Sequence, residues 1–176
     1  LHKIKVDNMR EQHEHLLEES KSPAPVADGM AVVAVAAGEG LAKIFESLGV
    51  KKVIYGGQTM NPSTEDILQA VKEVPQNEII ILPNNKNIVL AAKQVNDLVG
   101  KEVRVVETRS IPQGIAAMLA FSDEEKLNDN VTVMERARQK VQSAAVTFAV
   151  CDSKVNGLDI HENDIIGLKE DNIVVV

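Results

Sequence analysis

The sequence predicts an α/β fold: a parallel sheet with flanking helices, followed by a short antiparallel β segment. Two observations carry this. Between Met30 and Phe121 short apolar runs alternate four times with segments of helical spacing, the rhythm of right-handed strand–helix crossovers that build parallel sheets. Toward the end the helical spacing stops and brief strand-like runs follow, with an Asn156-Gly157 pair among them, a strong hairpin signal.

The first strand is read in "MAVVAVAAG", a continuous small-apolar run suited to a strand covered on both faces. "EGLAKIFESLG" then places Leu41, Ile44, Phe45 and Leu48 at helical spacing, with Gly49 as the stop. "KKVIYGG" is the second strand and "STEDILQAVKEV" the second helix, where Ser63 and Asp66 form a capping-box-like start. "EIIILPN" is the third strand, and "NKNIVLAAKQVNDLVG" a third helix ending at Gly100. "KEVRVVET" is the fourth strand. "SIPQGIAAMLAF" is the fourth helix, beginning near Pro112. The four strands are expected near residues 30–37, 51–56, 78–82 and 102–107. A longer amphipathic helix across "DEEKLNDNVTVMERARQKVQSAA" sets Leu127, Val131, Met134 and Val141 on one face. "AVTFAVCD", "SKVNGLDI", "DIIGL" and "NIVVV" are the short strand candidates that close the chain.

Three regions follow. Residues 1–28 are charged, then broken by Pro23 and Pro25, and read as a tail or linker from a preceding middle domain. Residues 29–145 form the α/β domain, and residues 146–176 a β-rich segment that looks truncated.

Composition excludes several function classes. A net charge of −7 argues against nucleic acid, which demands clustered Lys and Arg. Phe45, Tyr55, Phe121 and Phe148 are the whole aromatic complement, too few for a base-stacking platform. No apolar run reaches the length of a membrane span, and no signal peptide is visible. Cys151 stands alone, which fits a reducing cytoplasm; on a strand with no His or Cys partner, it is expected to be a buried, inert thiol. His13 and His15 point apart on a helix, and His2 and His161 lack a ligand set, so no metal site is expected.

In an open parallel sheet the loops beyond the strands' carboxyl ends share one edge, where ligands sit. Three polar loops converge there. "GGQTMNPS" offers Gln58, Thr59 and Asn61, "PNNKN" offers Asn84, Asn85 and Lys86, and "TRSIPQG" offers Thr108, Arg109, Ser110 and Gln113. Gly56 and Gly57 let a partner backbone approach. Turn building accounts for Asn61 and Ser63 but leaves Gln58 and Thr59 without a task. Lys86 stands near a helix N-terminus, where a cation is unfavourable, and with Arg109 it suits a carboxylate or an acidic surface. "AAGEG" after the first strand departs from the dinucleotide fingerprint, with Lys43 at the third glycine position and Glu39 where a pyrophosphate would sit. There is no P-loop. The inventory is amides, hydroxyls, one Lys and one Arg: a set for binding, with no catalytic residue and no metal ligand in it.

"NMREQH", "GGQTMNPSTEDI", "ILPNNKNI" and "SIPQGIAAM" together strongly resemble the C-terminal part of the fatty acid kinase A family, also known as the YloV or DhaL-domain-containing family. The resemblance covers essentially the whole chain. It implies a DegV-like α/β fold and a noncatalytic role. In that family a separate DhaL-type domain, related to dihydroxyacetone kinase, phosphorylates a fatty acid to an acyl phosphate for phospholipid synthesis. The fatty acid is held by a DegV-like carrier, FakB, which this region is expected to recognise. Mg-ATP belongs to the kinase domain, whose acidic motif has no counterpart here, so no cofactor is expected in this chain. Its implied partners are FakB and the kinase and middle domains of the same parent. The alternative is a DegV-like module that itself binds a carboxylate or fatty acyl ligand.

Overall fold

The computed structural model describes residues 27–57, 60–155, 157–169 and 172–175. Its centre is a four-stranded, wholly parallel sheet in the order β2-β1-β3-β4, formed by β1 (Ala27–Ala36), β2 (Lys52–Tyr55), β3 (Gln76–Leu82) and β4 (Glu102–Val105). The two long strands lie in the middle because they are the most apolar. Along β1, Ala31, Val33 and Val35 face one layer and Met30, Val32 and Ala34 the other. In β3, Ile79 and Ile81 oppose Ile80 and Leu82 in the same way. A strand buried on both faces has no polar side to alternate with, which is why these segments read as unbroken apolar runs.

Five helices cover the sheet: α1 (Glu39–Ser47), α2 (Thr64–Glu73), α3 (Val89–Val95), α4 (Ile111–Leu119) and α5 (Leu127–Gln139). Phe45 of α1, Ala117 and Met118 of α4, and Leu127 and Met134 of α5 fill one layer. Ile67, Leu68 and Val71 of α2 and Ala92 and Val95 of α3 fill the other. The chain leaves β1 in one direction, turns back past it from β2 to β3, and continues to β4. Right-handed crossovers therefore put α1 on one face and α2 and α3 on the opposite face.

Local signals fix the helix ends. The box predicted at α2 is present: Asp66 N–H donates to Ser63 Oγ at 3.2 Å, and Ser63 N–H donates to Asp66 Oδ2 at 2.8 Å. Lys101 Nζ donates to the carbonyls of Val71 and Val74 at the far end of α2. Helix α3 is shorter than its apolar spacing predicts. Asn85 Oδ1 accepts from Asn87 N–H at 2.9 Å, an Asx turn that competes with helical bonding over residues 85–88. Strand β1 begins at Ala27, before the expected residue 30, because Ala27 N–H bonds to Pro75 O and the residue pairs with Gln76.

The C-terminal part is antiparallel, as predicted. Strands β5 (Ala144–Phe148), β8 (Ile165–Lys169) and β9 (Asn172–Val175) form one sheet in the order β5-β8-β9. Strands β6 (Ser153–Val155) and β7 (Leu158–Ile160) form a separate hairpin. Gly157 in its turn has φ +83°, the left-handed geometry such turns require; its expected companion, Asn156, lies outside the described residues. Cys151 departs from expectation. Strand β5 stops at Phe148, and Ala149 turns to bond Asp164 O and Asn163 N–H, so the thiol falls beyond the strand and is exposed.

Candidate functional site

In the order β2-β1-β3-β4 the chain leaves β1 and β3 in opposite directions, so a crevice is expected between their carboxyl ends. Asn84, two residues past β3, occupies it. Its Nδ2 donates to Val35 O near the end of β1 at 2.9 Å. Its backbone N–H donates to Thr108 Oγ1, just past β4, at 3.0 Å. Its φ of +55° is one that Asn tolerates better than most residues. Behind it stands Gly114 of α4, so closely that a β-carbon there would overlap Asn84 Oδ1 and lie 2.7 Å from its Cγ. Both Asn84 and Thr108 are buried. Together they stitch the ends of β1, β3 and β4 to α4 and fill the crevice with protein.

The neighbouring loop is tied down in the same manner. Asn85 Nδ2 donates to Gly57 O across from the loop after β2, and Gly57 N–H closes a turn on Met60 O at 2.9 Å. Gly57 has φ +106°, and an added β-carbon would touch Ile88 and Val35, so glycine serves both the turn and the close approach. A β-carbon on Gly56 would meet Met60 O at 2.7 Å and Pro62 Cδ at 2.9 Å.

At the start of α4, Gln113 Oε1 accepts from Arg109 N–H at 2.8 Å, and the hydroxyls of Ser110 and Ser143 share a 2.6 Å hydrogen bond. Glu107 ties the surface together. Its carboxylate pairs with Lys93 of α3 and lies 3.9 Å from Arg109, while its N–H donates to Glu135 Oε1 at 2.8 Å. The hydrogen bond from Lys93 holds the Glu107 carboxyl below the usual range, against an opposing effect of burial.

The ten predicted binding residues therefore divide. Asn84 and Thr108 are internal fasteners, and Asn85, Ser110 and Gln113 are partly buried and bonded within the protein. Asn61, Lys86 and Arg109 are exposed on the same edge. Gln58 and Thr59 lie outside the described residues. The polar inventory read from the sequence omits the apolar members of this surface, Met60 and Leu90, which are 78% and 69% exposed. Leu90 belongs to a segment whose spacing says only that it is helical; in the fold it borders a shallow depression of about 420 Å³ with Lys86, Lys93 and Arg109. Among the described residues no cluster of three or more His, Cys, Asp or Glu is placed to hold a metal ion, and no helix is long and apolar enough to cross a membrane.

The family model for the FakA-like fatty acid kinase C-terminal domain matches residues 31–176. The chain belongs to this family. Among curated relatives, the FakA-like C-terminal chain is 44% identical to protein YloV of Bacillus subtilis, covering 98% of its own length and 32% of that protein. It is 42% identical to a protein of Staphylococcus epidermidis, covering 98% of itself and 33% of the relative. It thus spans about a third of the length of the curated relatives it matches. In structure it is similar to a DegV family protein, Cg2579 of Corynebacterium glutamicum, with a TM-score of 0.51 at 15% identity, over 68% of this chain and 52% of the other. At that identity the likeness concerns the fold, and the fold of the FakA-like chain is DegV-like.

Proposed function

We propose that this chain is the noncatalytic docking domain of a bacterial fatty acid kinase, and that its carboxyl edge receives the DegV-like fatty-acid carrier FakB. The observation that carries this reading is the filled crevice. Where a small ligand would enter an open parallel sheet, Asn84 and Gly114 are in contact, and Asn85 fastens the adjacent loop. The polar side chains there are spent on internal bonds, which makes the edge a preorganised platform. Above it stand Lys86, Arg109 and Asn61 with the apolar Met60 and Leu90. Apolar anchors inside a charged rim are the usual composition of a recognition surface.

On this reading the phosphoryl transfer belongs to a DhaL-type kinase domain of the parent chain, with its own Mg-ATP, and this region needs no cofactor. The kinase and middle domains are further contacts, residues 1–28 being the link to them. The setting is the cytoplasm, where acyl phosphate would feed phospholipid synthesis. The test is calorimetric titration of the full-length parent kinase with a loaded DegV-like carrier, repeated after Met60→Asp and Leu90→Asp. A loss of binding of tenfold or more with unchanged melting supports docking on this edge; full affinity in both variants refutes it.

A further inference from the structure

We propose that a second site, in the cleft between the start of α4, the end of α5 and strands β5 and β8, binds an amphipathic anion: a carboxylate or phosphate head on an apolar body. The inference stands apart from the docking reading and does not rest on it. The cleft has a volume of about 640 Å³, within the range of roughly 300–1,000 Å³ typical of small-molecule sites. Its lining is divided by chemistry. Arg109, Arg138, Ser110 and Ser143 supply a cationic, hydroxyl-bearing wall, and Ile111, Val141 and Leu168 an apolar one.

Charge selects the ligand. The chain carries 26 acidic against 19 basic residues, yet neither Asp nor Glu lines this cleft while two arginines do. Arg138 is oriented by Glu135, whose Oε2 accepts from Nε at 2.6 Å and pairs with Nη2. That carboxylate in turn holds Glu107 N–H, so the guanidinium is fixed while its Nη1 group stays uncommitted among the described residues. A fixed guanidinium loses little freedom on meeting an anion. Arg109 and the Ser110–Ser143 pair add donors that turn easily toward a carboxylate or phosphate oxygen. The apolar wall gives a purpose to an attached hydrocarbon body that a bare anion would leave unused.

The test uses octyl phosphate and octanoate as probes, with inorganic phosphate and octanol as controls, followed by amide NMR on the ¹⁵N-labelled chain. Both amphiphiles, or whichever head group fits better, are expected to shift Ser110, Ser143 and Ala145 saturably. Each control should bind at least about tenfold more weakly, because it presents only one of the two walls with a partner. Arg109→Gln, at an exposed position, should weaken the amphiphile about tenfold. Ala145→Trp, which fills the cleft from an exposed strand position, should abolish the shifts at Ser110. No saturable shift for either amphiphile overturns the proposal. So does inorganic phosphate binding as tightly as octyl phosphate, or affinity unchanged in Arg109→Gln.

Discussion

The side-chain amide of Asn84 lies against the backbone of Gly114, with space for hydrogen alone: a β-carbon on Gly114 would overlap Asn84 Oδ1 and come within 2.7 Å of Cγ and 2.9 Å of Nδ2. Gly114 is inside a helix, where Ala is ordinarily preferred by about 1 kcal/mol. Here the sign reverses. Gly114→Ala must displace a buried amide and break its bond to Val35 O, so it is expected to destabilise by about 2–4 kcal/mol. Denaturant unfolding measures this. Adding Asn84→Gly, which keeps the left-handed backbone and removes the obstructing side chain, should recover part of the loss.

Asn130 is the second buried amide with a large expected effect. Its Oδ1 accepts from Ser122 N–H at 2.9 Å, and its Nδ2 donates to the carbonyls of Ser122 at 2.8 Å and Glu125 at 3.3 Å. It thereby fastens the turn between α4 and α5 to the core. Asn130→Ala leaves three backbone groups without this partner and should cost about 2–4 kcal/mol. Hydrogen exchange would show faster opening at residues 122–126, with the β1 and β3 amides remaining the slowest.

These two amides also mark where sequence reading reaches its limit. The central strands are legible because Met30–Ala36 and Ile79–Leu82 are apolar without alternation, a pattern that follows from burial on both faces. Helix α2 is legible because its Ser63–Asp66 box lies within four residues. The edge location of Lys86 and Arg109 follows from strand–loop order alone. The separate tasks of the polar loop residues do not. Asn84 finds its partners 24 and 49 residues away, and Asn130 resembles any polar residue on a solvated helix until the turn folds over it. Leu90 is hidden for the converse reason: an apolar residue in a helical segment gives no sign of exposure until the packing of α3 leaves it outside.

The Lys93–Glu107 pair predicts a pH dependence. Glu107 titrates below its ordinary range in the folded chain, because of the Lys93 hydrogen bond first and the charges of Lys93, Arg138 and Arg109 after it. The unfolded chain therefore takes up this proton first as pH falls. The pair contributes stability above the unfolded glutamate value of about 4.3 and loses it as pH drops through the lower folded value. Lys93→Met should raise the Glu107 titration toward the ordinary range, read from its side-chain carboxyl carbon by NMR. The stability difference between the two proteins should be largest at neutral pH and shrink on acidification.

Carrier affinity of the double variant Lys86→Ala/Arg109→Ala, measured in the full-length kinase beside its melting temperature, tests the docking edge most directly. Both side chains are exposed and outside the hydrophobic layers, so melting should change little. Loss of two charged contacts should weaken carrier binding by roughly one hundredfold if they act independently, and the loss should diminish at high salt, where screening already weakens the wild-type contacts. Wild-type affinity in a variant of normal stability would contradict the account, and would leave these loops as a well-fastened sheet edge with the carrier bound elsewhere.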